Sequence, residues 1–170
     1  AVFCDGSGTG NECSPTFSRV TFKNNAARRF GGAMYNHGIR GGNSSPTIIG
    51  CTFVNNRSFS AAAILSEGGD TTRLVIIGST FDGNDALYGS AILNRGVSGG
   101  AVQLEVTNTV IWNERNRRPA ILNQNGSTTL SHTLLEGGAS GVASTGISGT
   151  GVTFLDRSEE RRVGKECRSR

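Results

Sequence analysis

The stretch PTIIGCTFVNNRSFSAAAILS, residues 46–66, contains two short words, TFVNN (52–56) and SAAAILS (60–66), and both recur along the chain. The first returns as TFKNN (21–25), TFDGN (80–84) and TVIWN (109–113), so that the four copies begin 31, 28 and 29 residues apart. HTLLEGG (132–138) reads as a worn fifth copy. The second word returns as GGAMYN (31–36), GSAILN (89–94) and RPAILN (118–123), and Ala33, Ala63, Ala91 and Ala120 are spaced by 30, 28 and 29 residues. Two independent words that keep one period mark a solenoid, in which each unit buries its apolar side only against its neighbours.

Within each unit the residues alternate as a half-buried strand does. Ile49, Cys51 and Phe53 are expected to share the inner face, followed one unit later by Val75, Ile77, Ser79 and Phe81, then by Leu104, Val106, Asn108 and Val110. Near-constant unit length should stack equivalent side chains at the interstrand spacing of about 4.8 Å. Three ladders follow. Phe22, Phe53, Phe81, Val110 and Leu134 are expected inside, Thr21, Thr52, Thr80, Thr109 and Thr133 outside, and Asn25, Asn56, Asn84 and Asn113 at a turn. β-Branched Thr suits an outward strand position, while Asn tolerates left-handed backbone and its amide bonds the adjoining rung. A helical solenoid of similar period fails, because the units alternate, favour Val, Ile, Thr and Phe, and interrupt themselves with GG, NN and SGG. The expected fold is therefore all-β, a right-handed parallel β-helix of about four to five coils.

Composition agrees: 25 Gly against 3 Pro in 170 residues, with 18% charged residues, suits many strands joined by turns. The formal charge of +4 is misleading, since residues 157–170 hold six Arg or Lys against three Glu and leave the body with about +1. That body offers no electrostatic case for nucleic acid, and no apolar run is long enough to span a membrane. Cys4 and Cys13 bracket DGSGTGNE, a loop that a disulfide would close; no CxxC pair suggests zinc.

The words F-x-x-N and G-G-A-(hydrophobic) resemble the repeats of chlamydial polymorphic outer-membrane proteins and, more closely, those of bacterial right-handed parallel β-helix repeat proteins, over residues 14–136. LEVTNTVIWNERNRRPAILNQNGSTTLSHTLLEGG (104–138) resembles the last full coils of β-helix proteins that end in choice-of-anchor domains. Asn113 follows Trp112 directly, a departure from the W-x-N pattern, and no end motif follows Thr153-Phe154-Leu155-Asp156. The resemblance implies a secreted or cell-surface, adhesin-like or passenger-like bacterial protein. RSEERRVGKECRSR (157–170) is similar to a translated sequencing-library adapter, which implies a metagenomic-type fragment. The expected layout is an uncapped β-helix over 1–156, prone to aggregate, and a non-native, disordered tail over 157–170.

β-Helices also carry polysaccharide enzymes, so acids and bases matter. Glu67, Asp70, Asp82, Asp85, Glu114 and Glu136 are expected mostly in turns. Asn36-His37-Gly38 with Arg40 reads as a turn, and Arg28, Arg29, His37 and Arg40 as an exposed basic edge. His132 is expected inward, in the position of Cys51, Ser79 and Asn108. Asp82-Gly83-Asn84-Asp85 lacks the ligand spacing of an EF-hand, and GSGTG (6–10) the flanking strand and helix of a phosphate loop. No catalytic, cofactor or metal residue is assigned. The expected function is a noncatalytic surface scaffold that contacts glycans, host molecules or sister chains, without nucleic acid; the alternative is part of an extracellular polysaccharide lyase or glycoside hydrolase. An enzyme should gather acids and bases on neighbouring coils along a single groove, whereas a scaffold repeats Thr, Ser and Asn there.

Overall fold

The computed structural model describes residues 1–69, 72–89, 91–97, 99–113, 118–136, 142–143 and 147–155. The tail 157–170, together with Asp70, Glu114 and Asp156, lies outside them. The described residues form strands and no helix, paired in parallel as a β-solenoid of about four turns. The first sheet stacks β1 (Val2–Asp5), β4 (Met34–Gly38), β8 (Ile64–Gly68), β12 (Ile92–Gly96), β15 (Ile121–Gln124) and β18 (Val142–Ala143). The second stacks β2 (Thr16–Ser18), β5 (Thr47–Ile49), β9 (Arg73–Ile77), β13 (Val102–Thr107), β16 (Gly126–Ser131) and β19 (Ile147–Thr150). The third stacks β3 (Thr21–Lys23), β6 (Thr52–Val54), β10 (Thr80–Asp82), β14 (Val110–Trp112), β17 (Leu134–Glu136) and β20 (Thr153–Leu155). A fourth, two-stranded sheet pairs β7 (Arg57–Ser60) with β11 (Asp85–Tyr88). Val2, Met34, Ile64, Ile92 and Ile121 stand one above another at 28–32-residue steps, and the step from Ile121 to Val142 shortens to 21.

Burial of like residues on successive rungs builds the core. Phe22, Phe53 and Phe81 form the expected column, with ring centroids 4.7 and 4.6 Å apart and planes within 10° and 3° of parallel. Those separations match the rung spacing of about 4.8 Å, so the backbone register itself sets the stack. Ile64, Ile92 and Ile121 face the column from the first sheet, Ile48, Ile76, Val106 and Leu130 from the second, all buried. Ala33, Ala63, Ala91 and Ala120 are buried at the entry to the first sheet and belong to the same core.

The outer two coils depart from the expected ladders. Val110 pairs with Thr80 and is 40% exposed, while Ile111 lies beneath Phe81 and is fully buried. One rung on, Leu134 pairs with Val110, and Leu135 continues the core column. Thr109 and Thr133 were expected outside and are instead buried at the corner between the second and third sheets. There they continue Cys51 and Ser79: Ser79 Oγ, Thr109 Oγ1 and Thr133 Oγ1 donate to the carbonyl two residues back at 3.0, 2.9 and 2.9 Å. Each bond ties the two strands across a residue of positive φ, namely Gly78 (57°), Asn108 (50°) and His132 (47°). That corner residue resets the alternation. Ile49 and Ile77, expected inside, are therefore exposed, with Ile48 and Ile76 buried in their place. Asn108 and His132 likewise occupy exposed corners rather than inward positions.

Candidate functional site

The Asn ladder is a structural spine. Asn84 Oδ1 accepts from the Asn56 backbone N–H at 3.1 Å and from Asn56 Nδ2 at 2.9 Å, while Asn84 Nδ2 donates to the Phe53 carbonyl at 2.9 Å. Asn25 makes the equivalent pair of bonds to Asn56 Oδ1, and Asn113 Oδ1 accepts from the Asn84 backbone N–H at 2.8 Å. The left-handed backbone expected of these residues falls one position earlier, at Asn24, Asn55 and Gly83 with φ of 57°, 52° and 60°. A second buried polar column, absent from the expected ladders, runs through Asn36, Ser66, Asn94 and Asn123, the last letters of the second word in each coil. Asn94 Nδ2 there bridges the Val102 carbonyl and Asn123 Oδ1, both at 3.0 Å.

Outside the same sheet, Asp5, His37, Glu67 and Arg95 stand in register on four adjacent strands. Glu67 lies on β8, not in a turn, and is 9% exposed. Its carboxylate accepts from Tyr35 Oη at 2.6 Å and from Arg95 Nη2 at 2.8 Å, with His37 Nδ1 3.6 Å away. Tyr35 Oη also lies 2.8 Å from His37 Nδ1 and accepts from it when that nitrogen carries the proton. Burial first, and the bond to Glu67 second, raise the Tyr35 phenol above its ordinary pKa. Asp5 is held low by hydrogen bonds from Ser7. Phe30 covers this cluster, with the Arg29 and Arg95 guanidinium carbons 5.3 and 5.5 Å from its ring centre. The acids and bases are thus gathered on neighbouring coils, as period and register bring together residues 28–32 positions apart. Tyr35, His37, Glu67 and Arg95 are also bonded to each other, which makes Glu67 the centre of a clamp across three rungs, while Asp5 bonds Ser7.

The fourth sheet carries the other concentration of chemistry. Phe59, Leu87 and Tyr88 are 51%, 41% and 46% exposed, and the Phe59 and Tyr88 rings meet edge-on at 5.5 Å. Arg57 and Asp85 pair in register beside them, joined by a 3.0 Å ion pair. Arg57, Ser58, Asp85, Ala86, Leu87 and Arg118 line one shallow recess. On the preceding coil, segment 26–30 runs parallel to β7 through Ala26–Arg57 and Phe30–Ser60 bridges and carries exposed Arg28 and Arg29, the latter with its guanidinium over Phe30.

Compared with protein families, curated proteins and solved structures, the chain matches none of them.

The expected basic edge of Arg28, Arg29, His37 and Arg40 divides. Arg29 stacks on Phe30, His37 packs on Tyr35, and Arg40 sits in the turn after β4 with φ 58°. Asp82-Gly83-Asn84-Asp85 splits likewise, with Asp82 exposed, Asn84 in the buried spine and Asp85 paired to Arg57. His132 Nδ1 bonds Ser131 Oγ at 2.9 Å at an exposed corner. Cys4 and Cys13 are bridged, and Cys51 is a buried free thiol.

Proposed function

We propose that this solenoid is a noncatalytic scaffold of the bacterial exterior, adhesin-like or passenger-like, that contacts a glycan or a neighbouring surface through the strip over its fourth sheet. The observation that carries the reading is the contiguous exposure of Phe59, Leu87 and Tyr88 among arginines. Large apolar side chains gathered on one face of a soluble protein usually mark a contact surface. The Cys4–Cys13 bridge agrees with an oxidising compartment. Among the described residues no helix is long and apolar enough to cross a membrane. The test is binding to an immobilised panel of polysaccharides and host-surface glycoproteins. Retention that falls on replacing Phe59 and Tyr88 together by Ala supports the reading; retention that is unchanged overturns it.

One observation favours the second reading, a β-helix lyase or hydrolase: the Asp5, His37, Glu67 and Arg95 ladder sets acids and bases on adjacent coils, one part of what an enzyme groove needs. Release of new reducing ends or unsaturated sugars from polysaccharides, abolished by His37→Ala, would establish it. No release from a broad panel supports the scaffold.

A further inference from the structure

We propose that the strip over the fourth sheet binds an acidic polysaccharide, a uronan, laid along the solenoid axis. This rests on the glycan-contact reading above and names the ligand class and the residues that select it. The direction follows from the register. Arg28 and Arg29, then Phe59, then Leu87 and Tyr88, belong to three successive coils joined by parallel pairing, and Arg118 follows on the fourth. Side chains one rung apart are separated by about 4.8 Å along the axis, so a linear chain on this line meets a new rung at short, regular intervals. The centre of the line is aromatic and exposed, which suits the C–H faces of pyranose rings. Its two ends are cationic.

Charge decides between a neutral and an acidic glycan. Arg28, Arg29, Arg57 and Arg118 are all exposed, and among the described residues beside them Asp85 carries a carboxylate that Arg57 holds at 3.0 Å. Of the seven arginines exposed among the described residues this face holds four, while Arg19, Arg40 and Arg73 lie elsewhere, the last paired with Glu105. Arginine rather than lysine is present at all four positions. Its planar fork matches a carboxylate with two parallel hydrogen bonds and also stacks on flat rings, as Arg29 does on Phe30 at 5.3 Å. Duplex nucleic acid and anionic lipid ask for denser positive charge and do not use a central pair of edge-packed rings.

The test uses the whole chain and three ligands in isothermal titration or affinity electrophoresis: polygalacturonate, its fully methyl-esterified form, and double-stranded DNA. Binding is expected to polygalacturonate, to weaken with added salt, and to fall about tenfold in each of two double variants, Phe59→Ala with Tyr88→Ala and Arg29→Gln with Arg118→Gln. All four positions are exposed, so unchanged melting curves will show that the variants fold. Equal binding to the esterified polymer overturns the acidic assignment while the scaffold reading stands. DNA bound as tightly as polygalacturonate overturns it in favour of a general polyanion patch. Failure to bind either form of the polymer overturns the assignment outright, and the scaffold reading then depends on the separate glycoprotein panel.

Discussion

Asn84 shows how much a single buried side chain holds in a solenoid. It serves the coil before through Asn56 and Phe53 and the coil after through Asn113. Asn84→Ala strands the Asn56 donors and the Phe53 carbonyl in the interior, and is expected to cost roughly 3 kcal/mol, read as a lower urea midpoint. Tyr35 supplies a pH signature. Its phenol keeps its proton in the folded chain to higher pH than in the unfolded chain. Its contribution is therefore constant below the ordinary tyrosine value of about 10 and is lost progressively as pH rises above it. Urea titrations at successive pH values from 9 upward should show stability falling, and Tyr35→Phe should flatten that slope while lowering stability near neutrality through the lost bond to Glu67. An identical alkaline slope in both proteins would separate Tyr35 from the effect.

At the level of the strand, β14 carries the plainest lesson. TVIWN matches TFDGN letter by letter, and the match sets Thr109 beside Thr80. The pairing sets Val110 there instead, because the coil drops one residue: Phe81 is separated from Asn84 by Asp82 and Gly83, Ile111 from Asn113 by Trp112 alone. Val110 and Ile111 are both apolar, so hydrophobic pattern cannot choose between them. The corner chooses, since Thr109 Oγ1 accepts from the Ser79 N–H at 3.3 Å and donates to the Thr107 carbonyl. Ile111→Thr should then cost roughly 3 kcal/mol by leaving a hydroxyl in the core, whereas Val110→Thr should stay within about 0.5 kcal/mol. Reversed magnitudes in thermal unfolding would restore the letter-by-letter register. The corners make a second prediction. Ala61 has φ 56° where its counterparts in neighbouring coils are Gly31 (52°) and Gly89 (58°). Ala61→Gly relieves an unfavourable left-handed alanine and should raise stability by up to about 1 kcal/mol, measured as a higher melting temperature.

For the whole molecule, a solenoid communicates only between neighbouring coils, so its stability is a sum of local terms rather than one indivisible core. The Cys4–Cys13 bridge closes a short loop on the first coil, and reduction should remove about 2–3 kcal/mol there. Hydrogen exchange should register this as faster exchange in β1 and β4, with little change in β13 and β16; uniform acceleration along the chain would mean a single cooperative unit. Period, strand type, parallel stacking, the Phe column and the bonded Asn spine were legible in the amino-acid order, because each depends on one residue type returning at one interval. Where one residue was inserted or lost within a coil, at Val110, Leu134, Thr109 and Thr133, repetition of letters misled, and hydrogen bonds at the corner set the register. Nor could the order of residues show that Tyr35, His37, Glu67 and Arg95 meet, or that Phe59 and Tyr88 share an exposed face with Arg57. His37, Glu67 and Arg95 each follow a copy of the second word directly, but they differ in residue type and so make no ladder of like letters, and only the winding of the chain, which turns a separation of about 30 positions into one rung, brings them together.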